Sequence, residues 1–197
     1  DALGADDATA LAAEILDALG RAAPLPRIDP GAGRVARRLQ AAAAVRISIR
    51  EAGGEDTRAL WRWANDPETR AASFGRDPIP WGEHLRWLDG VLASPAHAVL
   101  IALDGRDPAG SVRFDTADGW ETARLSYVVA PEARGLGLSI PMVAAAVEWV
   151  RHRHPGVRVR ADVMHTNPRS LRVFRRLGWS EGAAGDGVSR FHAPGEA

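Results

Sequence analysis

A short glycine-containing loop has residue types that suit the binding of a ligand. It spans residues 131–139 and contains Gly135 and Gly137. The β-branched and aromatic run at 125–130 predicts a buried strand before the loop, and residues 140–151 predict a helix after it. Glycine allows backbone conformations that a Cβ forbids and lets a ligand approach closely. Because the amides at a helix N-terminus attract anions, the loop is a candidate phosphate site.

Arg134 adds a fixed positive charge at the entrance of this loop. Two other glycine patterns are excluded: there is no Gly-Lys-Ser/Thr, and position 140 is isoleucine where Gly-x-Gly-x-x-Gly needs glycine. A Gly-x-Gly pair after a strand is also typical of a simple turn. The loop alone therefore leaves both interpretations open.

A second motif occupies residues 167–179. Asn167 is suited to cap a helix, Pro168 to its first position, and Gly178 to its end. Apolar residues recur at helical spacing and are expected to face the core: Leu171, Phe174 and Leu177. The arginines are expected to face water or a ligand: Arg169, Arg172, Arg175 and Arg176.

The two motifs, in this order and spacing, resemble those of the GNAT superfamily of acyl-CoA N-acyltransferases. The loop matches Arg-Gly-x-Gly-x-Gly/Ala, with Ser139 at the last position, and residues 167–179 resemble Asn-x-x-Ser/Ala-x-x-x-Phe/Tyr-x-x-x-Gly-Phe. The resemblance covers residues 45–193 and implies acetyl-CoA as the acetyl donor. It implies an α/β GNAT fold, whose mixed, mostly antiparallel seven-stranded sheet is splayed between strands 4 and 5 and flanked by about four helices.

Sequence patterns from residue 45 onward agree with that fold. They predict the order β-α-α-β-β-β-α-β-α-β-β, with Asp-Gly turns at 104–105 and 118–119 joining hairpins. The predicted strands are 45–50, 98–103, 109–114, 121–130, 157–163, 180–183 and 188–192. The first two predicted helices are 56–64, with one further turn at 68–72, and 81–92.

Residues 1–44 are alanine-rich and differ in character from the rest. They predict a helical extension and a proline-containing linker, or the tail of an upstream domain, with the acetyltransferase domain at 45–197. The first five residues faintly resemble the end of nucleotide-sugar hydrolases of the pseudaminic-acid pathway.

Composition limits the partners. Lys plus Arg and Asp plus Glu number 25 each, so no net attraction to nucleic acid or to an anionic membrane is expected. There is no cysteine, hence no thiol nucleophile, and no metal site is predicted. No apolar run has the length of a membrane span. We expect a cytoplasmic protein, with a homodimer as an open possibility.

Acetyl transfer to an amine requires a neutral amine, a donor for the oxyanion and a proton for the leaving thiolate. The resemblance places the oxyanion donor at a backbone amide near 127–129, with Val129 preferred. Two carboxylates are candidate bases, Asp162 and Glu121. Tyr127 is the candidate acid, and packing within the sheet is its alternative role. Relatives carry a tyrosine where this chain has Phe174, which cannot donate a proton.

The resemblance also implies which residues contact acetyl-CoA. The pyrophosphate is expected at the loop, and the pantetheine near the end of strand 4 and the start of the last helix. The predicted contacts are Val128, Val129, Arg134, Gly135, Leu136, Gly137, Leu138, Ser139, Asn167, Ser170 and Phe174.

The acceptor side is predicted between the first two helices, at residues 61–88. Its aromatic, amide, hydroxyl and imidazole side chains suit a sugar or base, and it resembles acetyltransferases acting on UDP-linked 4-amino-4,6-dideoxy sugars. The candidate contacts are Asn65, Arg70, Ser73, Trp81 and His84, while Trp61 and Trp87 are expected in the core. A protein N-terminus, an aminoglycoside or a polyamine is the alternative acceptor. A CoA-binding module without turnover is the alternative function.

Overall fold

The computed structural model describes residues 47–195. The strands are β1 (Ile47–Glu51), β2 (His97–Asp104), β3 (Asp107–Thr116), β4 (Thr122–Val129), β5 (Arg158–Met164), β6 (Ser180–Ala183) and β7 (Val188–His192). The helices in this range are α1 (Thr57–Asn65), α2 (Pro67–Ala71), α3 (Trp81–Leu92), α4 (Ser139–Arg153) and α5 (Pro168–Arg176). The extension predicted at 1–44 lies outside the described residues.

The seven strands form one mixed sheet in the order β1-β2-β3-β4-β5-β7-β6. Only β4 and β5 pair in parallel, and every other neighbouring pair is antiparallel. This confirms the predicted fold. The fifth helix is α2, which the sequence indicated as one further turn after α1. It is a separate element because Asp66 is not helical (φ −56°, ψ 134°) and its side chain caps the new helix by accepting from the Thr69 amide.

The sheet opens between β4 and β5. The pairing covers only three positions, from Thr122↔Arg158 to Arg124↔Arg160. Both strands continue beyond that point, β4 to Val129 and β5 to Met164. Because neighbouring strands in a sheet are held together by their ladder of hydrogen bonds, the end of this ladder leaves a gap, the β4–β5 opening.

Alternate strand residues pack against helices on the two faces of the sheet. On one face, Leu100, Val112 and Phe114 pack with Val143 and Val150 of α4. On the other, Val99 and Ile101 pack with α1 and α3 through Leu60, Trp63, Leu88 and Val91. These contacts anchor α1, α3 and α4 to β2 and β3.

Helix α5 ends in a left-handed turn that anchors its C-terminus. Gly178 has a φ of 73°, its amide donates to the Arg175 carbonyl, and the Trp179 amide donates to the Phe174 carbonyl. This hydrogen-bond pair is a Schellman motif, which needs a residue that tolerates positive φ. The Phe174 and Trp179 rings lie 4.8 Å apart, which supplies the apolar contact of that motif. The glycine predicted to end the helix has this role.

Candidate functional site

The backbone of β4 presents free amides to the β4–β5 opening. The Ala130 amide points toward β3, where it donates to the Ala109 carbonyl. The Glu121 carbonyl points the opposite way, toward β5, where it accepts from the Arg158 amide. Because successive residues of a strand point their amides to opposite sides, odd-numbered residues of β4 face β5. The ladder ends at Arg124, so the amides of Tyr127 and Val129 face the opening. Such amides are suitable donors for an oxyanion.

The predicted phosphate loop has the backbone geometry of an anion site. Gly135 and Gly137 have φ values of 80° and 79°, which residues with a Cβ rarely adopt. Helix α4 then begins at Ser139, and its N-cap residue Leu138 makes no side-chain cap hydrogen bond. The first-turn amides of α4 are thus not satisfied by a capping side chain, and no acidic residue lies in that turn. This arrangement fits a pyrophosphate.

Three polar side chains meet where α5 begins. The Asn167 side chain caps the helix by accepting from the Ser170 amide at 3.1 Å, as predicted. The Tyr127 hydroxyl lies 3.0 Å from Ser170 Oγ, so the phenol projects from β4 into the β4–β5 opening. Burial raises the pKa of Tyr127, against the opposing effect of its bond to Ser170, so the hydroxyl keeps its proton at neutral pH.

Phe174 forms the apolar support of that tyrosine. Its ring is buried and meets the Tyr127 ring edge-on at a centroid distance of 5.9 Å. It also stacks on Phe191 at 5.3 Å. The one tyrosine of the sequence thus lies on β4, at a position in contact with Phe174.

A central cavity of about 610 Å³ joins the β4–β5 opening to the space beneath α1, α2 and α3. Of the predicted site residues, those lining it are Arg70, Ser73, His84, Tyr127, Val128, Asp162, Asn167, Ser170 and Phe174. Those that do not line it are Asn65, Trp81, Glu121, Val129 and the loop residues 134–139. The structure thus brings together residues from the predicted acceptor side and the predicted cofactor side.

Two predicted acceptor contacts hold a loop in place instead. The Asn65 side chain accepts from the Ile79 amide at 2.7 Å and donates to the Ile79 carbonyl at 3.1 Å. The Trp61 indole donates to the same carbonyl at 2.8 Å, and Trp81 packs edge-on against Trp61. With these bonds the Asn65 amide is occupied by the loop before α3, so a substrate contact is not favoured.

The two predicted bases differ in position. Glu121 precedes β4, is exposed and lies outside the cavity, so its predicted role is not favoured by its placement. Asp162 lines the cavity but is bonded to Arg190 at 2.7 Å and Arg160 at 2.8 Å. Burial acts to raise the pKa of Asp162, but the two arginines outweigh it and hold the pKa below its usual range. A carboxylate held in this way is a weak base.

His84 is a buried, neutral imidazole on the cavity wall. It is 2% exposed, and its Nε2 lies 3.1 Å from the Thr57 carbonyl. Burial lowers the pKa of His84, against the opposing effect of that bond. A carbonyl can only accept, so Nε2 carries the proton and Nδ1 keeps its lone pair. Among residues 47–195 no partner occupies Nδ1, which leaves it as a proton acceptor.

Sequence reasoning missed the polar floor of the cavity. Ser111 and Arg113 of β3, Ser126 of β4 and Trp87 of α3 all line it. Trp87 was expected in the core, but it is 38% exposed, and Trp63 is the deeply buried tryptophan of this region. A signal existed in β3, where Ser111 and Arg113 alternate with Val112. This pattern puts polar side chains on the sheet face that α1 and α3 cover.

Arg134 does not extend from its loop toward a free anion site. Its Nη1 lies 3.0 Å from Glu68 Oε2, and its Nη2 contacts Asp66 and lies 2.9 Å from Thr69 Oγ1. Glu68 also pairs with Arg169 at the start of α5. Arg134 therefore ties the loop to α2, the helix that carries Arg70.

We expect Arg134→Gln to lower the free energy of unfolding by about 1–2 kcal/mol, since it removes a charged hydrogen bond from the partly buried Asp66 and a solvent-screened one from the exposed Glu68. The dissociation constant of acetyl-CoA, measured by calorimetry, should change by less than about threefold, because the guanidinium is already engaged by α2. Chemical denaturation measures the first effect.

Arg58→Gln is the matched control, because Arg58 is an exposed arginine of α1. It should change neither quantity. A tenfold loss of acetyl-CoA affinity in Arg134→Gln with unchanged stability would instead make Arg134 a phosphate ligand, as the sequence predicted.

Two negative observations concern residues 47–195 alone. Within them no helix combines the length and apolar character that crossing a membrane requires. No cluster of three or more His, Cys, Asp or Glu side chains in this range is arranged to hold a metal ion.

Solved structures with the same architecture include a spermidine N-acetyltransferase from Vibrio cholerae in complex with CoA and spermine. It has a TM-score of 0.64 and 15% identity, and the alignment covers 74% of this chain and 92% of that one. A domain from Methanocaldococcus jannaschii gives 0.64 and 17%, covering 76% and 98%. An N-acetyltransferase from Staphylococcus aureus gives 0.62 and 17%, covering 75% and 97%. At these identities the likeness establishes the fold.

No curated protein sequence matches the chain at a significant level. A family model does match, over residues 46–180, and its description is acetyltransferase (GNAT) domain. The matched range contains the strand amides, the glycine loop and the Asn167 cap described above. The chain belongs to the GNAT acetyltransferase family.

Proposed function

We propose that the protein transfers the acetyl group of acetyl-CoA to the primary amine of an amino-sugar nucleotide, a UDP-linked 4-amino-4,6-dideoxy sugar of the pseudaminic-acid pathway type. One observation carries the acceptor class: the central cavity is walled by indole rings, hydroxyls and arginines. Trp87, which is 38% exposed, offers a flat apolar face, and Ser111 and Ser126 offer hydroxyls. Rings that stack and hydroxyls that hydrogen-bond suit a sugar nucleotide.

The donor fits the other side of the β4–β5 opening. The amides of the loop and of the first turn of α4 suit its pyrophosphate. Asn167 and Ser170 offer hydrogen bonds to the pantetheine, and Val128 and Phe174 offer apolar contacts beside it. Bound acetyl-CoA supplies the acetyl group as a thioester.

The strand amides and the tyrosine divide the chemistry of transfer. The amine nitrogen bonds to the acetyl carbon, and the amides of Tyr127 and Val129 donate to the oxyanion. As the carbon–sulfur bond breaks, the Tyr127 hydroxyl gives its proton to the sulfur. No covalent enzyme intermediate is needed, in keeping with a sequence that has no cysteine.

The proton released by the amine goes to His84 Nδ1, directly or through water in the cavity. His84 is neutral at pH 7 because burial lowers its pKa, whereas Asp162 is held ionised by Arg160 and Arg190. A neutral imidazole is better matched to this proton transfer than a carboxylate with a depressed pKa. His84 thus replaces Asp162 as the preferred base.

A thiol-release assay tests the proposal. CoA set free from acetyl-CoA is measured with a thiol-reactive dye, and the protein adds no thiol background since it lacks cysteine. The acceptors are a UDP-4-amino-4,6-dideoxy sugar, spermidine, an aminoglycoside and a peptide with a free N-terminus. We expect turnover of the sugar nucleotide at least about tenfold above the others in kcat/KM. Preferential turnover of any other acceptor would overturn the amino-sugar assignment.

A further inference from the structure

The floor of the central cavity carries an arginine between two hydroxyls. Arg113 lies on β3, directly opposite Ser126 of β4 in the sheet register, and Ser111 precedes it by two residues on the same face. All three line the cavity. The Arg113 guanidinium carbon lies over the Trp87 ring of α3, 5.4 Å from its centre, which is a cation–π contact.

The hydrogen-bonding capacity of Arg113 is only partly used. Its Nη2 lies 3.1 Å from Asp115 Oδ2. Its Nε is buried and has no partner among the described residues, and the same holds for Nε of Arg70. Buried guanidinium donors without partners are uncommon and call for an explanation such as an absent ligand.

The carboxylates near Arg113 do not neutralise it fully. Asp115 also pairs with Arg124 at 3.0 Å and with His97 at 2.9 Å, so one negative charge is shared by two guanidinium groups. Asp162 on the far side of the β4–β5 opening is likewise shared by two arginines.

Arg70 adds a charge that no described carboxylate opposes. Its Nη1 donates to the Gly75 carbonyl at 3.1 Å and its Nη2 to Ser73 Oγ at 3.2 Å, both of them neutral acceptors. Glu83 is the one carboxylate on the cavity wall without an arginine in the described part of the chain. The cavity lining itself carries Arg70 and Arg113 against Asp162 and Glu83, and the excess of positive charge comes from Arg124, Arg160 and Arg190 behind the shared carboxylates.

We infer that Arg113, flanked by Ser111 and Ser126 and supported by Arg70, binds an oxyanion carried by the acceptor, namely a diphosphate. Arginine is the side chain that recognises phosphate oxygens with paired donors, and the hydroxyls add neutral donors beside it. The inference rests on the proposed function and names the part of the acceptor that the cavity reads. It also implies weaker binding of polyamines, since the arginines at and behind the cavity wall outnumber the carboxylates there.

Calorimetry on the whole protein tests this site. UDP and inorganic pyrophosphate are titrated into protein saturated with CoA, so that the glycine loop cannot take the probe. We expect Arg113→Gln to raise the dissociation constant of UDP by about tenfold or more, and Arg70→Gln to raise it by a smaller factor. Arg106→Gln, an exposed arginine in the β2–β3 turn, should leave it unchanged.

Three outcomes would overturn the inference. They are equal UDP affinity in the wild type and in Arg113→Gln, tighter binding of succinate than of UDP, and tighter binding of spermidine than of UDP. Ser126→Ala is a second variant that keeps all charges, and it should weaken UDP binding even if Arg113→Gln fails to fold.

The test separates this inference from the proposed reaction. Arginine-dependent UDP binding without acetylation of any amino-sugar nucleotide would keep the diphosphate site and discard the proposed acceptor. Turnover of the sugar nucleotide with an unchanged KM in Arg113→Gln would keep the reaction and discard the site.

Discussion

Tyr127→Phe is expected to lower kcat by about 10²–10⁴-fold, the range that a positioned general acid contributes. The substitution removes only the hydroxyl, while the ring keeps its edge-on contact with Phe174 at 5.9 Å. The dissociation constant of acetyl-CoA should change little, because the amides of β4 and of the loop remain. Steady-state kinetics with acetyl-CoA and the acceptor found in the thiol-release assay measures the loss.

The pH dependence gives an independent signature of the same residue. Burial raises the pKa of Tyr127, so the hydroxyl is protonated, and active as an acid, throughout the neutral range. On the alkaline side, the wild-type kcat should fall as pH rises through that elevated pKa, and this alkaline fall should be absent in Tyr127→Phe. The sequence contains one tyrosine, no cysteine and no lysine, since all 25 of its Lys-plus-Arg residues are arginines. No other side chain in it ordinarily titrates in that range. An acidic fall, caused by protonation of His84 as pH drops through its lowered pKa, should remain in both proteins.

Ser170→Ala is the control for this prediction. It removes the hydroxyl that lies 3.0 Å from the phenol but leaves the phenol itself, so kcat should fall by less than about tenfold. If Tyr127→Phe retained the wild-type kcat and its alkaline fall, Tyr127 would be a packing residue and solvent would protonate the thiolate.

The fold could be predicted because its signals are local. Strand runs, Asp-Gly turns and helix caps each depend on a few adjacent residues, as the Asn167 cap and the Gly178 terminus show. The boundaries moved by one or two residues, for example from 157–163 to Arg158–Met164 for β5. The fold class, the acyltransferase class and the acetyl-CoA donor are confirmed by the family match and the shared architecture. The pseudaminic-acid pathway type is not shown by them and stays a proposal.

The site residues were harder to predict because their roles depend on distant partners. Asn65 has the right chemistry for a sugar contact, but Ile79, farther along the chain, occupies its amide. Arg134 lies in the predicted loop, yet its partners are on α2. Arg113 was not predicted as a site residue, because its proposed role depends on its contact with Trp87 and on Ser126 on the next strand. Such pairings form only when the chain folds.

Gly110→Ala is expected to be the most disruptive single substitution near the site. Gly110 has a φ of 154°, and a Cβ there would lie 2.2 Å from the Val128 carbonyl oxygen and 3.0 Å from Val129 Cα. Backbone strain and overpacking each cost about 1–3 kcal/mol, so we expect a loss of about 2–6 kcal/mol in the free energy of unfolding. Chemical denaturation of the purified variant measures it.

The same chemical change at Gly90 provides the matched control. Gly90 lies within α3, and a Cβ there meets nothing within 4 Å. Gly90→Ala should therefore stabilise the protein by about 0.5–1 kcal/mol, since glycine is the poorer helix former. Equal effects at Gly110 and Gly90 would contradict the steric argument.

Gly110 matters for function because it is paired with the strand end that carries the free amides. It lies opposite Val129 in the β3–β4 register, and the contact it permits lets β4 run close to β3 while it separates from β5. In Gly110→Ala, relief of the clash requires β3 and β4 to separate locally, which changes the position of Val128 and Val129 relative to β3. The proposed oxyanion donors would move with them. We therefore expect a lower kcat for the folded variant, measured without denaturant. A folded variant with wild-type kcat would contradict the role of the Val129 amide as an oxyanion donor.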